Sequence, residues 1–570
     1  MCGIWAYIVS QIEKQGVHKS LNESILYENF MRISHRGPDR SKFINLPKQC
    51  ISLGFHRLSI MDTSTRGDQP FVIERDNRTI YALCNGEIYN HKYLEDYYGI
   101  KTTSGSDCEF IPQLYHQIGM EGLWYALTEG EYVSGEFAII ILDINKDTGD
   151  YIVNVARDRF GVRPLYYAKY SNGTYCFSSE LMGIPNNHSG ITIKEINQFD
   201  PGWTSYLFKK DGKMYTDVGI PKLLKYVSQS ADLDVAKLVV KQQLELACKD
   251  RLTSDRKIGF LLSGGLDSSL VCAISAKYLK EMGVEMQTFS IGLEESTDEY
   301  YAKLVADHID SKHTHVKFTN EQFIEAVDDV VYFIATYDIT TVRASVGQYL
   351  ICKWIAENTD IKVLLIGDGS DELFGGYRYF LKAPNEKEYE EEIIKLLTNI
   401  HRFDGQRADR GVARNGLEAR LPFLDHRLVD TVMAIHPSLR MPKDGVEKWL
   451  LRESFRGTGL LPDEVLFRTK EAFSDGVSTV KKSWYQILQE KYEAEVLPKT
   501  AEEDFKHYEH CPPHTKEAMH YRDVFEGHYG AVSQYVIPYF WLPNQSWVGN
   551  VTDPSARVLD CYSNEEKTED

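Results

Sequence analysis

The chain has 570 residues, 43% hydrophobic and 26% charged, with a formal net charge of -19. That length gives room for two or three domains, no apolar run approaches the ~20 residues of a membrane span, and the acidic balance without a Lys/Arg cluster excludes a nucleic-acid-binding face. Its ten cysteines form no Cys-x-x-Cys pair, which argues against a zinc ribbon or a disulfide framework and for a reducing compartment, most simply cytoplasmic.

The N-terminus, Met1-Cys2-Gly3-Ile4-Trp5, lacks the basic region and apolar core of a signal peptide. Strand patterns follow at Ile51–Phe55, Thr79–Leu83, Phe137–Leu142 and Tyr151–Val155, with only short helical patterns between them. Pro201-Gly202 and Lys209-Lys210-Asp211-Gly212 read as turns. The spacing then predicts a helix with Val235, Leu238, Val239 and Leu246 on one face and Asp234 as its N-cap. From there strands and helices alternate, with parallel-strand candidates at Lys257–Leu262, Met286–Ile291 and Lys362–Gly367. This change predicts a β-rich domain over 2–215, a doubly wound α/β domain over 216–555, and a flexible acidic tail over 556–570.

The most informative stretch is Ser263-Gly264-Gly265-Leu266-Asp267-Ser268-Ser269. It lies between the apolar run Ile258–Leu262 and a helical pattern from Leu270 onward, so it is a strand-to-helix turn at the carboxyl end of a strand. Glycines that let a ligand approach, serine hydroxyls and a helix N-terminus make an anion cradle. Asp267 belongs in such a cradle when a divalent cation joins its carboxylate to phosphate oxygens. No Gly-x-x-x-x-Gly-Lys-Ser/Thr spacing is present, so γ-phosphoryl transfer is not expected. The stretch resembles the pyrophosphate loop of the N-type ATP pyrophosphatases.

Cys2 directly follows the initiator methionine. Once freed, such a residue joins a thiol to an α-amine of pKa about 7.7–8.0, which can take the thiol proton without a separate histidine. In order after it come His35-Arg36-Gly37-Pro38-Asp39, Arg57-Leu58-Ser59-Ile60, Asn85-Gly86-Glu87-Ile88-Tyr89-Asn90 and Gly105-Ser106-Asp107. The set resembles the glutaminase domain of class II glutamine amidotransferases, with an N-terminal-nucleophile fold: a β-rich sandwich with helices. The resemblance implies Cys2 as nucleophile and Asn85 and Gly86 as the oxyanion hole. It implies glutamine contacts from Arg57, Ile60, Asn85, Gly86, Glu87 and Asp107.

Phe289–Gly292, Tyr337–Ser345, Gly367-Asp368-Gly369-Ser370-Asp371-Glu372, Gly416–Asp425 and Lys470–Gly476 complete a pattern that resembles glutamine-dependent asparagine synthetases over nearly the whole chain. That family joins ATP to aspartate as β-aspartyl-AMP, releases pyrophosphate, and aminates the adduct with ammonia from glutamine. The resemblance implies a parallel-sheet ATP pyrophosphatase domain with a helical C-terminal part. It assigns ATP and pyrophosphate contacts to Leu262, Ser263, Gly264, Gly265, Asp267, Ser268, Ser269, Ile291, Gly367, Asp368 and Lys470, and Mg2+ to Asp267 and Asp371. Thr340, Thr341, Arg343 and Glu372 fall on the aspartate side, and Asp368 takes a catalytic position. Substrates would be ATP, aspartate and glutamine, and a homodimer stays open. A β-lactam synthetase lacks the N-terminal nucleophile, and a non-catalytic scaffold has no reason to keep Cys2, Asp267, Asp371 and Lys470.

The chain departs from the family pattern at several positions. Asp368 stands for a glutamate, Ile366 for a serine, Ala335 for a glutamate, and Met182 for a lysine. Glu136 replaces an apolar residue that in relatives lies near the ammonia passage. A buried carboxylate without a partner there predicts imperfect coupling, and the shorter Asp368 predicts a less well placed carboxylate. His308, His313 and His315 read as surface or packing residues.

Overall fold

The computed structural model describes all residues except 10–21, 130–133, 187–189, 209–213, 220–231, 294–295, 471–482, 495–507, 552 and 554–570. The expected tail and most of the Lys470–Gly476 stretch lie outside the described residues.

Twelve strands build the N-terminal part: β1 (Gly3–Ile8), β2 (Arg40–Leu46), β3 (Ile51–Arg57), β4 (Phe71–Arg75), β5 (Arg78–Ile88), β6 (Gly135–Asn145), β7 (Tyr151–Arg157), β8 (Tyr166–Tyr170), β9 (Tyr175–Ser178), β10 (Ile193–Gln198), β11 (Gly202–Phe208) and β12 (Met214–Gly219). They form two antiparallel sheets, ordered β10-β8-β9-β1-β3-β2 and β12-β11-β7-β6-β5-β4. Period-2 alternation sets the layers. Ile4, Ala6 and Ile8 of β1 pack with Leu83, Ile140, Leu142, Val153 and Val155 between the sheets, while Trp5 and Tyr7 point to the opposite face. Beyond the second sheet, Ile80, Ala82, Ile139 and Ile141 bury the helix Ile111–Thr128 through Leu114, Leu123 and Trp124.

The second part holds a five-stranded parallel sheet of β13 (Ile258–Leu261), β14 (Gln287–Gly292), β15 (Lys312–Lys317), β16 (Val363–Leu365) and β17 (Glu418–Arg420), ordered β15-β14-β13-β16-β17. The chain runs outward from β13 on both sides, so the crevice beyond the ends of β13 and β16 is a topological switch point. β17 at the edge faces the N-terminal sheets. The expected helix spans Leu233–Asp250, but its cap and face differ from the reading. Asp232, not Asp234, caps it by accepting from the Val235 backbone N–H. Its buried side is Ala236, Val240, Leu244, Ala247 and Cys248, and Val235 and Leu238 are exposed. The small residues face inward because this helix packs against the helices Leu266–Glu281, His426–Met433 and Trp449–Phe455.

Candidate active sites

At the N-terminal site, β1 carries Cys2 against the end of β5. The Cys2 backbone N–H donates to Asn85 Oδ1 at 2.9 Å, and its thiol points at the Leu58 carbonyl at 3.7 Å. Burial pushes the thiol pKa up to about 11, against the nearby N-terminal ammonium, which lowers it. A neutral thiol therefore needs a base before it can attack. Asn85 is fully buried and its Nδ2 donor bonds no protein atom, which is what an oxyanion donor requires. Gly86 stands opposite Phe137, and a Cβ there would lie 2.2 Å from the Glu136 carbonyl, so only glycine fits.

Around this pocket Asp107 accepts from the Ile88 N–H at 2.7 Å, and burial raises its carboxyl pKa. Glu87 is pushed well up by burial and by neighbouring Asp107 and Glu418. Ile60 is buried in the loop after β3. Arg57 ends β3, and its guanidinium holds Asp68 at 2.6 Å together with the carbonyls of Met61, Asp62 and Ser64. A substrate carboxylate would have to share it. The loop carrying Asp62 is tied to Gly105 by the Gly105 N–H at 2.9 Å, so Arg57 and Asp107 belong to one rim.

The second site lies in the crevice after β13. Gly264 has φ +77°, and a Cβ on it would meet the Ala302 N at 2.5 Å, so the turn and the close helix both require glycine. Ser263 and Ser268 hydroxyls lie 3.1 Å apart at the cradle mouth. Leu262, Ser263, Gly265, Asp267, Ser268, Ile291, Gly367, Asp368, Asp371, Glu372 and Lys470 all line one cleft. Gly264 and Ser269 shape the turn and the helix behind it, and Ser269 is fully buried.

Lys448 was not visible in the sequence. Its Nζ lies 2.6 Å from Asp267 and 2.6 Å from Asp371, and it is buried. Lys470 reaches Asp371 at 2.6 Å and Asp267 at 3.7 Å. Burial alone would raise the Asp371 pKa, but the two ammoniums outweigh it and hold the carboxyl well below the usual range. Two carboxylates converging on the same two ammoniums form a donor pair that would suit a divalent ion arriving with phosphate. Lys448 also has φ +53°, a conformation rare for a long side chain, and nothing in the local sequence announces it.

Beside this cluster Arg407 pairs with Asp368 and, at 2.8 Å, with Asp404. Burial raises the Asp368 pKa, and Arg407 opposes the shift. Tyr377 donates to Glu372 at 2.7 Å and to Asp404 at 3.1 Å. Burial, Asp404 and Asp371 push Glu372 well above the ordinary carboxylate value.

The structure does not bring Thr340, Thr341 and Arg343 into this cleft. Thr340 bonds the Trp541 carbonyl at 3.2 Å, and Thr341 bonds Asp338 at 2.7 Å. Arg343 is tied to Glu517 at 2.6 Å and Asp553 at 3.0 Å. Thr340 and Arg343 fasten the helix Ile339–Asn358 to the C-terminal segment, and Thr341 belongs to its N-terminal cap. Glu136 also differs from the expectation of an unpartnered carboxylate. Arg163 holds it at 2.9 Å and Arg251 at 2.8 Å. His313 bonds Thr288 and Ser290 along the sheet edge.

Comparison with known proteins agrees with this pairing of sites. A glutamine amidotransferase domain model matches residues 1–217, and the asparagine synthase model matches 239–395 and 382–534. The chain is 41% identical to "Asparagine synthetase [glutamine-hydrolyzing]" of Gallus gallus over 99% of both chains. The protein of the same name from Homo sapiens is 41% identical, again over 99% of both. The chain belongs to the asparagine synthetase family. Membership places the Cys2 pocket in the amidotransferase domain and the Ser263–Ser269 cleft in the synthase domain. Among the described residues no helix is long and apolar enough to cross a membrane.

Proposed function

We propose that the chain is a glutamine-hydrolysing asparagine synthetase: ATP, aspartate, glutamine and water give AMP, pyrophosphate, asparagine and glutamate. The observation that carries this reading is the presence in one chain of two built sites, Cys2 beside Asn85 with its unpaired Nδ2 and Asp267 with Asp371 facing Lys448 and Lys470. The division at 215/216 separates the two chemistries, and the cytoplasm is the compartment that suits the free thiols.

In the first site, removal of Met1 frees the Cys2 amine, which takes the thiol proton. The thiolate attacks the glutamine carboxamide, and Asn85 Nδ2 with the Gly86 N–H donates to the oxyanion. Ammonia leaves and water releases glutamate from the thioester. Asp107 and Glu87 face the substrate ammonium, and Arg57 faces its carboxylate.

In the second site, Leu262, Ile291 and Gly367 receive the nucleotide and the Ser263–Ser269 cradle receives the pyrophosphate. The aspartate β-carboxylate attacks the α-phosphorus. Mg2+, held by Asp267 and Asp371, would supply charge neutralisation for the leaving pyrophosphate. Lys448 and Lys470 add fixed positive charge at the same place. Arg407 offers a partner for a substrate carboxylate, while Glu372 and Asp404 face its ammonium. Asp368 stands where it can accept a proton from the attacking ammonia.

The test is incubation of the full chain with ATP, Mg2+, aspartate and either glutamine or ammonium, with products identified by mass spectrometry. Asparagine, AMP and pyrophosphate are expected with either nitrogen source, and glutamate with glutamine. Phosphate and ADP in their place would overturn the reading.

A further inference from the structure

The acceptor side of the synthetase cleft is backed by the C-terminal segment. Glu372 and Asp404 line the cleft, and both also line a second, much smaller cavity. That cavity holds about 10 Å3, room for one water at most. Trp541, Tyr539, Leu542 and Phe403 share its lining. The Trp541 ring also meets Tyr377, with centroids 5.0 Å apart. The Tyr377 hydroxyl in turn donates to Glu372 at 2.7 Å and to Asp404 at 3.1 Å. The indole therefore backs this carboxylate pair twice, across the small cavity and through Tyr377.

The segment that delivers the indole is stitched in place. The Trp541 N–H donates to Asp338 Oδ1 at 2.8 Å, and the Trp541 carbonyl accepts from the Thr340 hydroxyl at 3.2 Å. Further on, Asn544 Nδ2 donates to Glu392 at 2.9 Å and Trp547 Nε1 to Glu388 at 3.0 Å. Trp541 itself is 7% exposed. An interior packed this closely admits a longer substrate only if a wall moves. Glu372 and Asp404 cannot retreat while the indole fills the space behind them. One end of the acceptor lies at these carboxylates and Arg407, and the other at the α-phosphorus. The depth of the wall therefore fixes how many methylenes fit between.

We propose that Trp541 determines acceptor specificity: it sets the depth of the pocket at a four-carbon dicarboxylate and keeps glutamate out. The inference rests on the reading of this cleft as an aspartate-activating site. Trp541 touches no reacting atom and acts through Glu372, Asp404 and Tyr377. When glutamate is activated, a γ-carboxylate oxygen bonds the α-phosphorus as the bond to the bridging oxygen breaks. Pyrophosphate leaves, so its release counts both acceptors alike.

The experiment gives the full chain ATP, Mg2+, ammonium and either aspartate or glutamate, and reads pyrophosphate release. Release with aspartate by the wild type tests the underlying reading on its own. The wild type is expected to favour aspartate in kcat/KM by at least the roughly 10–200-fold that one methylene is worth in a fitted pocket. Trp541→Ala should raise KM for aspartate several-fold, raise kcat/KM for glutamate, and cut the preference by about tenfold or more. KM for ATP and glutamine hydrolysis should stay unchanged. Trp541→Phe keeps an aromatic wall of smaller volume; it should fall between the two and serves where alanine prevents folding. Thr340→Val, which removes the donor to the Trp541 carbonyl, should shift the preference the same way by a smaller factor. An unchanged preference in a folded Trp541 variant overturns the proposal, as does a wild type that takes both acceptors alike. Equal loss with both acceptors also overturns it, because that is the mark of a purely structural role.

Discussion

Cys2 and Asp267 are single side chains on which the two half-reactions separate. Cys2→Ala should abolish glutamine hydrolysis and glutamine-dependent asparagine formation while ammonium-dependent synthesis continues; parallel loss of both activities would show that the sites are not independent. Asp267→Asn should remove AMP and pyrophosphate formation with glutaminase activity retained, because a neutral amide cannot replace the carboxylate that faces Lys448 and would hold the proposed Mg2+. Normal pyrophosphate release by that variant would contradict the assignment. Lys448→Met should slow AMP formation on the order of 10²-fold, the scale of losing one preorganised electrostatic contact. Asp368 takes a different sign from the sequence expectation. Arg407 reaches the short carboxylate and also holds Asp404, so the pocket is built around aspartate. Asp368→Glu, assayed with ammonium, is therefore expected to turn over more slowly, with ~1 Å of misplacement able to cost up to on the order of 10²-fold. Faster turnover would mean that the aspartate is poorly placed.

The strand–turn–helix unit of the cradle was legible because its chemistry is local: glycine at positive φ, serines and a helix N-terminus lie within seven consecutive residues. The helix Ile339–Asn358 was less so, because what its first turn faces depends on the distant C-terminal segment. Asp338 caps that helix through the Thr341 N–H at 2.9 Å and accepts from the Trp541 N–H at 2.8 Å. Burial raises its pKa to about 6, against the opposing effect of these hydrogen bonds. A raised carboxyl pKa means the folded chain keeps a proton that the unfolded chain has already released. Stability from this group is thus greatest below the unfolded value and falls as pH rises from about 4 to about 6, by roughly 3 kcal/mol at most. Asp338→Asn does not titrate. The thermal midpoint of the wild type relative to this variant should fall between pH 4 and pH 7, and a flat difference would show that Asp338 ionises normally.

At the scale of the whole molecule, the two folds were legible from period-2 alternation at one end and alternating strands and helices at the other. The arrangement of the sites across the domain contact was not. Arg36 bonds the Cys2 carbonyl at 3.0 Å and Asp409 at 2.8 Å, and Asp409 shares a helix with Arg407 of the second cleft. Lys448, Arg251 and Arg407 lie 181, 115 and 39 residues from the Asp267, Glu136 and Asp368 they meet, and a solvated surface charge has the same local sequence. The central claim is that one chain couples glutamine hydrolysis to aspartate activation as an acyl-adenylate. Aspartate labelled with 18O in its β-carboxylate, supplied with ATP, Mg2+ and glutamine, tests it most directly. The account predicts asparagine together with AMP carrying one 18O in its phosphoryl group, because the attacking carboxylate oxygen leaves with AMP. Asparagine formed with unlabelled AMP, or with the label in inorganic phosphate, would contradict it.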